Sequence, residues 1–103
     1  MQCAVDQVDV LEAGGVDLRR VVIGHLNDIT DQPAAASIAI ARRGVNLGFD
    51  HSAKPDDPRI DEYVRTILAV LEAGYEDRVF LSSDFASSKY LRKNGGPGID
   101  MCV

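Results

Sequence analysis

Short apolar runs that end in polar side chains occur three times along the sequence. Each run is rich in β-branched or other large apolar residues and is followed within a few positions by histidine or aspartate: residues 21–23 before His25, residues 45–49 before Asp50 and His51, and residues 79–81 before Asp84. Apolar runs of this kind are typical of buried parallel strands. The pattern therefore predicts three strands that deliver polar groups at their C-terminal ends.

A helical pattern precedes each predicted strand and ends at a glycine. Apolar residues recur at helical spacing over residues 3–13, 33–43 and 58–71, and Gly14, Gly44 and Gly74 follow these segments at intervals of thirty positions. Glycine is the usual residue just past a helix because it enters the left-handed conformation without a Cβ penalty. Asp57 is predicted to cap the third helix, with Pro58 as its first residue. Each repeat thus reads helix, glycine, short loop, strand.

This alternation predicts an α/β fold in one domain spanning residues 1–103. Strands joined through helices run parallel, and the C-terminal ends of parallel strands meet at one edge of the sheet. Ligands of such sheets bind outside that edge. A chain of 103 residues is too short for a closed eight-stranded α/β barrel, which takes about 250 residues. After Asp84 the sequence shows no sustained period and predicts a long loop.

The net charge and the composition exclude some classes of binding partner. The net charge of −5 argues against nucleic acid and against an anionic membrane surface, which both need basic protein surface, and favours a small-molecule partner. The N-terminal residues show neither a signal peptide nor a membrane span, which favours a cytoplasmic protein. Cys3 and Cys102 stand at opposite ends without a metal-binding spacing, so both are expected to be ordinary thiols.

Three segments resemble the phosphotriesterase family of the amidohydrolase superfamily. They are residues 21–28 (VVIGHLND), 48–51 (GFDH) and 74–84 (GYEDRVFLSSD), and residues 89–91 and 94–98 are similar to the family's final loop. The resemblance implies a partial (β/α)8 TIM barrel, from the helix before the sixth barrel strand through the loop after the eighth. The implied activity is metal-dependent hydrolysis of a small-molecule ester, either a phosphotriester or a lactone.

The resemblance also implies roles for individual residues. The family holds two divalent ions, usually zinc, which are bridged by a hydroxide and a carboxylated lysine. His25 matches the sixth-strand histidine that binds one ion, and Asp84 matches the eighth-strand aspartate that binds the other. Asp28 and His51 match the residues that, with Asp84, relay a proton away from the attacking hydroxide. Such a relay is chemically apt because histidine titrates near neutral pH.

The sequence lacks the rest of the family's ligand set. The two first-strand histidines, the fourth-strand lysine and the fifth-strand histidine have no counterpart, whereas a stable zinc site takes three or four protein ligands. We therefore expect a fragment of a family hydrolase that does not retain zinc and is inactive alone. Such a fragment would need the missing N-terminal barrel portion or self-association as a homo-oligomer.

Other interpretations remain open on the residues alone. A non-catalytic barrel segment would associate with itself or dock on another chain through its apolar sheet face. A small open-sheet binding module would carry a glycine-rich phosphate loop after the first strand, but residues 24–28 are acidic. His25 and Asp84 also fit satisfied polar residues at strand ends, and Asp28 and His51 also fit capping or solvated residues. Asp50 fits equally well as a residue that orients its loop through backbone hydrogen bonds.

Overall fold

A computed structural model describes residues 2–26, 34–50, 57–84 and 87–98 of the chain. Helices and strands alternate along it: α1 (Gln2–Ala13), β1 (Val22–Ile23), α2 (Ala35–Arg42), β2 (Asn46–Phe49), α3 (Ile60–Glu72) and β3 (Val79–Leu81). Short 3-10 turns at Leu18–Arg20 and Glu76–Arg78 lead into β1 and β3. The α/β prediction is confirmed, with strands shorter than the apolar runs that predicted them. No helix in the described parts of the chain is long and apolar enough to cross a membrane.

The strands form a parallel sheet in the order β1-β2-β3. Ile23 pairs with Leu47, which pairs in turn with Val79, so the central strand β2 has a hydrogen-bonded neighbour on each side. Because all three strands point the same way, their C-terminal ends share one edge of the sheet. This edge is where the sequence predicted the functional groups.

The hydrophobic core lies on one face of this sheet. Alternation along a strand places Ile23, Leu47 and Phe49 on the same face, and all three are buried. Their core partners come from all three helices and the segments between them: Ala4, Val8, Leu18, Leu26, Ala34, Ile40, Ala41, Val45 and Val70. The opposite face carries Val22 and Phe80, whose residues are 54% and 55% exposed. The described structure therefore covers only one side of the sheet.

The glycine stops are confirmed for two helices and shifted by one residue in the other. Gly44 (φ +100°) and Gly74 (φ +90°) adopt the left-handed conformation after α2 and α3. After α1 the left-handed residue is Gly15 (φ +82°), not Gly14. The reason is that α1 continues through Ala13, so Gly14 still donates its N–H to the Val10 carbonyl at 3.0 Å as a helix-end residue.

The start of α3 and the C-terminal segment also differ from the prediction. α3 begins at Ile60, and the Asp57 carboxylate accepts a hydrogen bond from the Arg59 N–H at 2.9 Å. Asp57 thus closes the turn before the helix instead of capping the helix itself. The predicted loop after Asp84 contains two 3-10 turns within its described part, Ser88–Tyr90 and Arg92–Asn94.

Ser37 gives a stability prediction. Its hydroxyl is buried inside α2 and has no hydrogen-bond partner within the described portion of the chain. Replacing Ser37 with alanine removes an unsatisfied polar group and adds a better helix former, so Ser37→Ala should raise the free energy of unfolding by about 1 kcal/mol in urea denaturation.

Ala39 provides the matched control on the same helix. It is exposed, so Ala39→Ser reports the helix-propensity difference without burial, an expected loss of about 0.5 kcal/mol. If Ser37→Ala instead lowers the free energy of unfolding by more than a small cavity would cost, the buried hydroxyl makes a favourable interaction.

Candidate functional site

His25, Asp50 and Asp84 follow the C-terminal ends of β1, β2 and β3. Each lies within three residues of the last residue of its strand. Since the strands are parallel and adjacent, the sheet brings these three polar residues to one edge. The sequence predicted this arrangement from the repeated apolar runs.

A direct contact joins His25 to Asp50 across the first two strands. The backbone N–H of His25 donates a hydrogen bond to Asp50 Oδ1 at 2.7 Å. The ring Nδ1 of His25 lies 3.3 Å from the same oxygen. The Asp50 carboxylate is thus shared between the backbone and the ring of a residue twenty-five positions earlier. A short N–H contact to a carboxylate is a charge-assisted hydrogen bond, which is stronger than a neutral one.

Two glycines make this contact sterically feasible. A Cβ atom built on Gly24 would lie 2.5 Å from Asp50 Oδ2, which is closer than any non-bonded contact allows. A Cβ built on Gly48 would lie 3.1 Å from the Cα of Gly24 and 3.2 Å from the Ile23 carbonyl oxygen. Because Gly24 and Gly48 lack side chains, β1 and β2 can lie close together and the Asp50 carboxylate can reach from β2 to His25.

Strained backbone conformations occur at both predicted metal ligands. His25 has φ +56° and Asp84 has φ +48°, and Ala34 is the other described non-glycine residue with positive φ. A positive φ is uncommon for residues with a Cβ, costs free energy, and concentrates at functional sites. The observation supports a functional role for the two strand ends. Histidine and aspartate adopt a positive φ more often than most residues with a Cβ, but neither requires it, so the sequence did not predict these values.

The other two predicted relay residues cannot be placed. Asp28 and His51 lie outside the described residues. Their predicted part in a proton relay therefore stays a prediction, as does the contact of either residue with Asp84.

The side chains of His25 and Asp84 are suited to provide part of a zinc site. Imidazole nitrogen and carboxylate oxygen, which His25 and Asp84 offer, are both common zinc ligands. Over the described ranges, however, no group of three or more histidine, cysteine, aspartate or glutamate side chains is arranged to hold a metal ion. The donor types are therefore appropriate, but their number is below that of a closed structural site or a three-ligand catalytic site.

Comparisons with known proteins show which family this chain is similar to. The sequence profile of the Phosphotriesterase family matches residues 1–102. A phosphotriesterase homology protein of Escherichia coli (strain K12) is 34% identical over 102 residues, which are 93% of this chain and 32% of that protein. An N-acetyltaurine hydrolase of Danio rerio is 26% identical over 104 residues, or 91% of this chain and 30% of that protein. The chain thus spans about a third of the length of these relatives.

The fold agrees with a solved relative. The crystal structure of the phosphotriesterase homology protein from Escherichia coli, complexed with phosphate in its active site, superposes with a TM-score of 0.80 at 29% identity. The match covers 93% of this chain and 32% of the solved chain. The three parallel strands and their helices correspond to part of a TIM barrel. With a family profile that matches nearly its whole length, this chain belongs to the phosphotriesterase family.

Proposed function

We propose that this chain supplies part of the active site of a zinc-dependent hydrolase that acts on ester bonds of small molecules, and that it is inactive alone. The observation that carries the proposal is the placement of His25, Asp50 and Asp84 just after the C-terminal ends of three adjacent parallel strands in a member of this family, with His25 and Asp50 in contact. Phosphotriesters and lactones are the proposed substrates, and the proposed compartment is the cytoplasm.

Some residues of this chain would bind the metal ions, and others would transfer the proton. His25 and Asp84 would each hold one of two divalent ions. When bound, such ions lower the pKa of a water molecule towards neutrality and polarise the phosphoryl or carbonyl oxygen of the substrate. The Asp84 carboxylate would accept the proton of the attacking water. His51, paired with Asp28, would then pass that proton to solvent.

Two of the relatives support a hydrolytic reaction. The Danio rerio protein is named as an N-acetyltaurine hydrolase, and the Escherichia coli structure holds phosphate in its active site. Hydrolysis at a carbonyl carbon and hydrolysis at phosphorus make the same demands on a site, namely an activated water and a polarised oxygen. An N-acylated amine therefore belongs beside phosphotriesters and lactones in a substrate panel.

Zinc stoichiometry tests the proposal. We expect the purified 103-residue chain to carry well below one zinc ion, because the donor set of the described chain is incomplete. In a chimera, residues 1–103 would replace the matching third of the Escherichia coli relative. That chimera should carry about two ions, and His25→Ala or Asp84→Ala should each lower the content by about one. Metal analysis on a gel-filtration peak of known mass measures both.

Asp61→Asn in the same chimera is the matched control, since Asp61 is an exposed carboxylate in the first turn of α3. Two ions bound by the chain alone would contradict the incomplete site. A folded chimera whose metal content is unaffected by His25→Ala and Asp84→Ala would contradict the ligand assignment.

A second candidate function is non-catalytic association through exposed apolar surface. Val22, Phe80 and Leu81 of the sheet are each more than half exposed. On α3, a further stripe at helical spacing is 37–49% exposed and consists of Ile60, Val64, Leu68 and Leu71. Mass that rises with protein concentration in the presence of a chelator would favour this function, and a constant monomer mass would speak against self-association.

A further inference from the structure

We propose that Asp50 is a positioning residue that holds His25 in its left-handed conformation and sets the tautomer of its ring, with Nδ1–H facing Asp50 and Nε2 as the ligating nitrogen. Only one part of this inference rests on the proposed function, namely that Nε2 of His25 binds a metal ion. The conformational part stands on the contacts of His25 with Asp50 and on the space that Gly24 and Gly48 leave for them.

One carboxylate oxygen of Asp50 contacts both the backbone and the ring of His25. Asp50 Oδ1 accepts the His25 N–H at 2.7 Å and lies 3.3 Å from Nδ1. The backbone bond fixes the peptide that enters His25, where φ is +56°. A bond across two strands thereby stabilises a conformation that a residue with a Cβ otherwise avoids.

The Asp50 carboxylate also determines which nitrogen of the His25 ring carries the proton. A neutral imidazole carries a proton on one nitrogen and a lone pair on the other. An anionic oxygen 3.3 Å from Nδ1 attracts an N–H and repels a lone pair, so the Nδ1–H tautomer is favoured. The lone pair is then on Nε2. Histidines that bind metals commonly have their other nitrogen oriented in this way by a carboxylate.

Two glycines beside the contact provide the space for it. Gly24 immediately precedes His25, and the position of its absent Cβ is 2.5 Å from Asp50 Oδ2. Gly48 stands two residues before Asp50 on the neighbouring strand, and its absent Cβ would crowd the Gly24 Cα. The two Gly-X segments, Gly24-His25 and Gly48-Phe49-Asp50, thus form one structural unit that presents the ring.

Nitrogen-15 NMR of the ring measures the tautomer directly. The sequence contains two histidines, so His51→Gln leaves His25 as the one imidazole in the spectrum. In this background, under mildly alkaline conditions and without metal, we expect the Nδ1–H form to dominate. Asp50→Ala should shift the tautomer ratio about tenfold towards Nε2–H, because a charge-assisted contact is lost.

Two further variants separate positioning from a general structural role. Asp50→Asn keeps the shape and an acceptor oxygen but loses the charge, so its tautomer ratio should lie between those of the parent and Asp50→Ala. Gly24→Ala leaves Asp50 in place but displaces its carboxylate, and should shift the ratio in the same direction as Asp50→Ala. Asp61→Asn, far along the sequence on α3, should leave the ratio unchanged.

The outcomes are distinct. A dominant Nε2–H form in the His51→Gln chain would overturn the proposal even if no Asp50 variant folds. An unchanged tautomer ratio in a folded Asp50→Ala chain would also overturn it. If the chimera binds no metal while the tautomer shifts as expected, the proposed hydrolase function fails but the positioning role of Asp50 stands. If the chimera binds metal and the tautomer does not respond, the positioning role alone fails.

Discussion

Removing the imidazole of His25 should lower kcat/KM of the chimera by more than about 100-fold, because loss of residues that merely orient a metal ligand already costs about 10–100-fold. His25→Ala deletes a proposed ligand itself and leaves the backbone hydrogen bond to Asp50 in place. Steady-state hydrolysis of a panel of phosphotriesters, lactones and an N-acylated amine would measure the loss.

The control for this variant is Asp61→Asn, which should retain the activity of the parent chimera. Asp84→Ala should give a loss at least as large as His25→Ala, because Asp84 is proposed both to bind an ion and to accept a proton. Full activity of His25→Ala with unchanged metal content would refute the ligand role of His25.

Leu47→Ala should lower the free energy of unfolding of the chain by about 3 kcal/mol, the middle of the range for a fully buried leucine. Leu47 is 0% exposed on the central strand and pairs with Ile23 on one side and Val79 on the other. Neighbours on both sides limit how far the core can collapse into the cavity, and this keeps the cost high. Urea denaturation followed by circular dichroism measures the change.

Leu68→Ala on α3 is the matched control, since the same atoms are removed from a residue that is 49% exposed. Its expected loss is well under half of that for Leu47→Ala, because less apolar surface returns to water. Equal losses for the two variants would mean that Leu68 is covered in solution, as it would be if the chain associated through α3.

Much of the fold could be predicted from local sequence patterns. Apolar runs and helical periodicity report on burial at each position, and so they located the strands and helices and their order. Boundaries were less predictable, because hydrogen bonds between neighbours decide them. The Gly14 N–H still donates a hydrogen bond to the Val10 carbonyl, so the left-handed conformation occurs one residue later, at Gly15. The Asp57 carboxylate similarly accepts the N–H of Arg59, which lies one residue before α3 begins.

The candidate site was predictable in part for the same reason. His25 and Asp84 follow apolar runs directly, so their position at the sheet edge needed only the direction of the strands. The bond from His25 to Asp50 depends on the register of two strands and on the absence of two Cβ atoms, which no single stretch of sequence reveals. Asp28 and His51 lie outside the described residues, and their roles stay predictions.

The positive φ angles of His25 and Asp84 mean that, at these two positions, backbone stability and the proposed metal binding favour different residues. Glycine would relieve the backbone at either position, a gain of about 1 kcal/mol or more from geometry alone, but it would delete a donor group. Protein engineers who seek a more thermostable version of this segment should therefore leave these two positions unchanged and look for stabilising substitutions in the helices instead.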